Sequence, residues 1–218
     1  MNKPVSAYYP VFLNISRRRC LVVGGGQVAL RKARALLDCG ADVTVVSPDL
    51  CPELAQLAES GQMRVINREY RRGDLEGMFL AVAATDDTAA NRAVAEEARR
   101  SAVLVNAVDD AAVSDFIVPS CLRRGDITIA VSTAGRSPAL ARKLRTRLEE
   151  EFGPEYAALA VLIDEVRAEA KRTGIASDGD GWQQALDLEK LSDLVRRGEG
   201  EKARALLLSK LKESRGNG

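Results

Sequence analysis

Gly24-x-Gly26-x-x-Ala29 is the G-x-G-x-x-A spacing with which a chain turns beneath a dinucleotide diphosphate. Each small residue has its own task. Gly24 permits the tight turn, Gly26 lets the backbone approach the phosphates, and Ala29 lets a helix pack closely on a strand. Gln27 and Val28 then open a helix whose free N–H groups and positive dipole end suit an anion. Alone, such a spacing is also met in glycine-rich turns that bind nothing. Its surroundings here are those of a nucleotide site. Cys20 to Val23 is wholly apolar, as a doubly buried strand is, and Ala29, Ala33, Leu36 and Leu37 form one helical face closed by Gly40. A second strand is predicted at Asp42 to Val46.

The residues that are missing restrict the chemistry further. There is no histidine, which excludes a Ser-His-Asp triad, a histidine base and any imidazole metal ligand. Acid–base work must fall to carboxylates, lysines, tyrosines or thiols. Cys20, Cys39, Cys51 and Cys121 make no C-x-x-C pair. Cys20 and Cys121 lie in apolar runs and read as buried thiols in a reducing compartment; no resident metal site is expected. Lys+Arg 32 against Asp+Glu 31 leaves a net charge of +1, so bulk electrostatics calls for neither nucleic acid nor a membrane surface. No apolar run is long enough to span a membrane, no signal-peptide layout opens the chain, and a cytoplasmic protein is expected.

Strand and helix patterns alternate from the glycine turn to about Asp109. A helix is predicted at Pro52 to Ser60, strands at Met63 to Ile66, Phe79 to Ala84 and Val103 to Asn106, and a helix at Ala89 to Arg100. Arg68 to Glu76 reads as loop with one helical turn. This alternation is the pattern of an α/β, Rossmann-like, doubly wound parallel sheet, whose ligand lies beyond the carboxyl ends of the strands. Those ends carry Gly24 to Val28, Ser47-Pro48-Asp49, Thr85-Asp86 and Asn106 to Asp110. Before the sheet, Tyr8 to Leu13 is apolar enough for an edge strand. After it, Phe116 to Cys121 and Ile127 to Ser132 read as a β-hairpin joined through Leu122 to Asp126. Ser137-Pro138 starts a helix with the stripe Leu140, Leu144, Leu148 and Phe152, ended by Gly153-Pro154. The remainder is helical: a stripe at Tyr156, Leu159, Leu162, Ile163 and Val166, a linker at Gly174 to Gly181, helices at Trp182 to Val195 and Glu199 to Leu211, and a disordered tail from Ser214. The expected division is residues 1–112, a dinucleotide-binding domain; 113–152, a hairpin and helix segment; and 153–218, a small helical domain.

Taken together these stretches resemble the precorrin-2 dehydrogenase and sirohydrochlorin ferrochelatase family, the amino-terminal region of sirohaem synthases. The resemblance is carried by Tyr9-Pro10-Val11-Phe12-Leu13, by Val22 to Ala29 with Arg31-Lys32, and by Ala83-Ala84-Thr85-Asp86-Asp87 with Asn91. It continues through Val105-Asn106-Ala107-Val108-Asp109, Phe116 to Ser120, and Ala130 to Thr133 with Gly135 and Ser137-Pro138. It runs in unbroken order from about Tyr8 to Phe152; the helical tail agrees only in general character.

The resemblance implies oxidation of precorrin-2 to sirohydrochlorin in sirohaem biosynthesis, with NAD as hydride acceptor, in a homodimer with a dimerising middle segment. Some members also insert Fe²⁺ into the product. Asp109 stands where the family has its key catalytic acid, and a positioned carboxylate suits a dehydrogenation that releases a proton with the hydride. Gln27, Val28, Pro48 and Asp49 fall where the family contacts NAD; Thr85 and Asn106 join them from their strand-end positions. The second strand ends without an immediate acid, Asp49 comes late, and no arginine marks a 2′-phosphate, so NAD is favoured over NADP. The substrate carries eight carboxylate arms, for which Arg123, Arg136 and Arg142 are candidates, with Arg124, Lys143 and Arg145 near them. Thr133 replaces a serine that some relatives phosphorylate, and reads as an ordinary loop hydroxyl. The competing reading is a non-catalytic NAD-sensing module whose helical tail binds a partner. Such a module needs neither an acid at the cleft nor a basic surface.

Overall fold

The computed structural model describes residues 8–108, 110–175 and 179–216. The chain divides into two compact units between Val118 and Pro119. The first is a five-stranded parallel sheet, order β3-β2-β1-β4-β5, made of β1 (Arg19–Val23), β2 (Asp42–Val46), β3 (Arg64–Ile66), β4 (Leu80–Ala83) and β5 (Leu104–Ala107). The crossovers carry α1 (Gln27–Leu37), α2 (Pro52–Glu59) and α3 (Thr88–Ser101). This is the doubly wound arrangement read from the alternation of elements. Register levels the strand ends: Val23 pairs with both Val46 and Ala83, and Ala83 pairs with Ala107. The turns that follow β1, β2, β4 and β5 therefore open along one edge.

The period of two in a strand decides which helix each residue meets. Cys20, Val22, Val43, Val45, Leu80 and Val82 face Ala29, Leu30, Ala33 and Leu54 of α1 and α2. Leu21, Val23, Ala81, Ala83 and Val105 face Val94, Ala95 and Ala98 of α3, together with Leu75. Alanines at the helix contacts bring α1 and α3 close to the sheet. The Cys20 thiol is wholly buried, and burial pushes its pKa up to about 11. Cys121, expected inside, is exposed. In the strand Ser120–Arg124 it alternates with buried Leu122, so its side chain takes the outer face.

Residues 8–15 form no strand. Tyr9, Val11, Phe12 and Leu13 stand exposed, and Ile15 alone of the run enters the core. The edge strand expected there does not form: β3 and β5 are the sheet's edges, and the loop after β5 meets β5's outer backbone. The Val105 N–H donates to the Asp115 carboxylate (2.9 Å) and the Ala107 N–H to the Ser114 hydroxyl (2.9 Å), with Asp115 N–H returning to the Val105 carbonyl.

The loop between β3 and β4 is pinned by two carboxylates. Glu97 of α3 accepts from the Tyr70 hydroxyl (2.5 Å) and the Gly73 N–H (3.0 Å), and burial followed by this carboxylate pushes the Tyr70 hydroxyl up. Asp74 accepts both guanidinium N–H groups of Arg68, at 2.8 and 2.6 Å, and the Arg71 N–H at 2.9 Å. The Arg68 hydrogen bonds hold the Asp74 carboxyl below its ordinary 3.8. A depressed folded pKa gives stability that is complete above the unfolded pKa and is lost as pH falls through the folded one. Asp74→Asn is accordingly expected to cost about 2 kcal/mol at neutral pH and far less at about pH 2. Urea unfolding of both proteins at the two pH values checks this, and an equal difference at both would refute it.

The second unit opens with an antiparallel hairpin, β6 (Ser120–Arg124) and β7 (Ile127–Val131). Its first strand lies later than the apolar run suggests: Arg123 and Arg124 are strand residues opposite Thr128 and Ile127, not connector. Gly125, with φ +56°, supplies the left-handed first position of a two-residue turn with Asp126. α4 (Pro138–Glu151) begins at the Ser137 cap, whose hydroxyl accepts from the Leu140 N–H. Its buried residue is Ala141, while Leu140 and Leu144 of the expected core stripe are exposed. α5 (Glu155–Arg172), α6 (Gly179–Ala185), α7 (Leu188–Arg196) and α8 (Gly200–Gly216) enclose a core of Leu159, Val166, Leu191, Leu207 and Leu211. The single helix expected at Trp182 to Val195 is two, because Asp187 caps α7 by accepting from the Lys190 N–H. The linker expected at residues 174–181 is already helical from Gly179, with 176–178 outside the described residues. The expected tail from Ser214 continues α8 to Gly216; 217–218 are outside the described residues.

Candidate functional site: a dinucleotide turn at the strand ends

The three glycines do different work. Gly24 has φ +120°, and a Cβ there would stand 2.4 Å from the Ala84 carbonyl oxygen, so the turn passes tightly against the end of β4. A Cβ on Gly25 would stand 1.8 Å from the Asp49 carbonyl oxygen and 2.7 Å from the Ser47 hydroxyl. Gly25 is thus the contact with the β2–α2 loop, a role that the spacing rule leaves to an unspecified residue. The run of three glycines was its sequence signal. A Cβ on Gly26 would meet nothing within 4 Å. The space above Gly26 is open, as an approaching diphosphate requires.

Gly26 is the N-cap of α1, with no side-chain cap and no acid in the first turn. The first intrahelical bond runs from the Leu30 N–H to the Gly26 carbonyl at 3.0 Å, so Gln27, Val28 and Ala29 supply the first-turn N–H groups. Neutral small residues and a positive helix end are what a doubly charged diphosphate calls for. A dinucleotide fits this turn: Gly24 to Val28 would hold its phosphates, and the bound nicotinamide would supply the hydride acceptor.

The β2–α2 loop is clamped beside the turn. Ser47 is buried and its hydroxyl donates to the Asp49 carbonyl (2.7 Å); the Cys51 N–H donates to the Gly25 carbonyl (2.8 Å). Pro48 and Asp49 are exposed at the tip of this loop. Gln27 reaches across, its Nε2 donating to Glu53 Oε2 at 3.3 Å. Glu53's own N–H and then Gln27 hold its carboxyl below the usual range. Glu53 was not singled out from sequence; only contact across two helix starts reveals it.

At the ends of β4 and β5 the predicted residues are held by the protein itself. Thr85 Oγ1 lies 2.9 Å from the Asp87 carbonyl and 3.1 Å from Asn91 Oδ1, so it organises the start of α3. Asn106 is buried; its Oδ1 accepts from Lys32 Nζ (3.0 Å) and its Nδ2 donates to the Phe116 carbonyl (3.0 Å). The amide ties α1 to β5. Both residues serve first as scaffolding at the strand ends. A cleft of about 190 Å³ opens there, lined by Thr88, Asn91, Arg92, Ala107, Val108 and Asp110 among others. Asp109, the predicted acid, lies outside the described residues.

Arg123, Arg136 and Arg142 all belong to the second unit, in β6, in the loop after β7 and in α4. Arg123 is on a strand rather than at the hairpin tip. Thr133 Oγ1 accepts the Ser137 N–H at 3.0 Å, so it shapes the entry to α4.

Comparison with known proteins follows the same division of the chain. Residues 11–120, half of the chain, match a family described as putative NAD(P)-binding, and residues 124–151 match the central region of sirohaem biosynthesis proteins. A siroheme synthase from Chromobacterium violaceum is 44% identical over 200 residues, covering 91% of this chain and 42% of that protein. One from Photobacterium profundum is 40% identical over 204 residues, covering 93% and 43%. The chain thus spans less than half the length of these relatives. The solved structure of SirC, a precorrin-2 dehydrogenase, matches with a TM-score of 0.71 at 26% identity, over 94% of this chain and 100% of that one. With its glycine turn, its level strand ends and both segments in order, the chain belongs to the putative NAD(P)-binding family matched by residues 11–120, and it is similar to the NAD(P)-binding and central regions of sirohaem synthases.

Proposed function

We propose that this chain is an NAD-dependent dehydrogenase that oxidises precorrin-2 to sirohydrochlorin. The observation that carries the reading is the turn itself: a glycine loop open above Gly26 at an uncapped, acid-free helix start, in a chain that aligns with the whole of SirC. The oxidation releases a proton with the hydride; Asp109 accepts the proton, and a bound nicotinamide would supply the hydride acceptor. The protein's share is to hold the diphosphate on Gly24 to Val28 and the ribose at Pro48 and Asp49. The substrate's carboxylates fall to Arg123, Arg136 and Arg142. Mixing protein, NAD and precorrin-2 is expected to produce NADH and the sirohydrochlorin spectrum together. An active substrate preparation left unchanged would favour the NAD-sensing module instead.

We extend the proposal to Fe²⁺ as a second substrate, with the same acid taking the two N–H protons that metal insertion displaces one after the other and releasing each to solvent. Addition of Fe²⁺ or Co²⁺ to sirohydrochlorin should then proceed faster with the protein than without it, and equal rates would withdraw this part. A homodimer is also proposed, supported by the exposed leucines of α4, Leu140 (50%) and Leu144 (41%). Leu144→Asp is expected to shift the sedimenting species from dimer to monomer; unaltered sedimentation would exclude this face.

A further inference from the structure

We propose that Glu53, held against the glycine turn by Gln27, sets the preference for NAD over NADP by opposing a 2′-phosphate. The inference rests on the dinucleotide reading above and adds to it the residue that discriminates. In this fold the adenosine ribose lies beside the end of the second strand, between the glycine turn and the helix that follows. The loop here leaves that helix little freedom. The Cys51 N–H is bonded to the Gly25 carbonyl at 2.8 Å, and the Asp49 carbonyl occupies the space where a Gly25 side chain would be. The first turn of α2 is thereby fixed beside the diphosphate turn, with Pro52 and Glu53 as its first two residues.

Glu53 does not point freely from that turn. Its Oε2 accepts from Gln27 Nε2 at 3.3 Å, and Gln27 is the first residue of α1. The carboxylate therefore bridges the starts of α1 and α2, beside the end of β2 where the ribose would lie. Its own N–H and Gln27 hold the carboxyl below its usual range, and it is ionised at neutral pH. The residues from Ser47 to Cys51 include no lysine or arginine. Arg34 of α1 is the cation that acts on Glu53, with the least effect of the groups around it. A ribose 2′-hydroxyl can donate to a carboxylate. A 2′-phosphate, which brings close to two negative charges, meets repulsion from that carboxylate. Asp49, exposed at the loop tip, remains the acid for the ribose hydroxyls; Glu53 supplies the field against the phosphate.

Titration calorimetry of NAD and NADP on the full chain tests this without turnover. The wild type is expected to prefer NAD. Glu53→Gln keeps an amide for Gln27 but removes the charge, and is expected to narrow the ratio of the two dissociation constants by about 5- to 10-fold, through tighter NADP. Glu53→Lys should narrow it further. In the wild type alone, added salt should also narrow the ratio, because it screens the extra charge of NADP. This second measurement stands even if a variant does not fold. Unchanged ratios in folded variants, or a wild-type ratio indifferent to salt, would overturn the role of Glu53 while leaving the dinucleotide site intact. A folded wild type that binds neither nucleotide would remove the dinucleotide reading, and this inference with it.

Discussion

Asp109→Ala should turn over precorrin-2 about 10²- to 10⁴-fold more slowly than the wild type, the range that one positioned proton-transfer group supplies. NAD affinity should stay unchanged, because the proposed diphosphate turn follows β1 and the acid follows β5. The expectation rests on where β5 ends. Ala107 closes β5 level with Ala83 of β4, and the Val108 N–H is bonded to the Ala83 carbonyl at 2.9 Å. The chain therefore leaves the sheet at the edge to which the glycine turn also opens, and the next residue is Asp109. Asp109→Asn separates charge from shape: it keeps the size of the side chain and removes the base, so it should fall nearly as far as the alanine. Turnover near wild type in both variants, with normal NAD binding, would make Asp109 a loop acid and leave the proton acceptor to another group.

Two neighbouring glycines should fail in opposite ways. Gly25→Ala is expected to lower folding stability by about 3 kcal/mol or more, because its Cβ would overlap a backbone carbonyl that cannot rotate away. Gly26→Asp should leave stability intact. It has open space around it, φ −86°, and the N-cap position, where aspartate is favourable. Yet it sets a negative charge where the diphosphate must come, and NAD affinity should fall by about 100-fold or more. Thermal unfolding and nucleotide titration on the same samples read the two effects. If Gly26→Asp bound NAD as the wild type does, the phosphates would have to lie elsewhere. If Gly25→Ala melted like the wild type, the β2–α2 loop would not be clamped to the turn.

Much of this protein was legible in its residues. Buried parallel strands are short apolar runs, and each helix between them has small residues at the spacing that meets a sheet, so the order of elements to β5 follows from periodicity alone. The glycine turn was legible for the same reason: its residue types are dictated by backbone geometry, which acts over a few residues. The departures arose where pairing and packing decide. Tyr8 to Leu13 is apolar enough for a strand, but it pairs with no strand of the sheet. Arg123 and Arg124 look like a connector, but pairing with Ile127 and Thr128 places them in a strand. Leu140 and Leu144 keep a core-like spacing that their own unit leaves exposed.

The chemistry divides along the same line. The types and spacing of Gly24, Gly26, Gln27 and Val28, and the place of Asp109 after the last strand, are local facts of the chain. That Gly25 meets the Asp49 carbonyl, that Asn106 is joined to Lys32, and that Glu53 is tied to Gln27 were decided only in three dimensions. Each is a contact between residues more than twenty positions apart. No local propensity specifies such pairs; they exist because parallel strands must end level, and level ends bring their loops together.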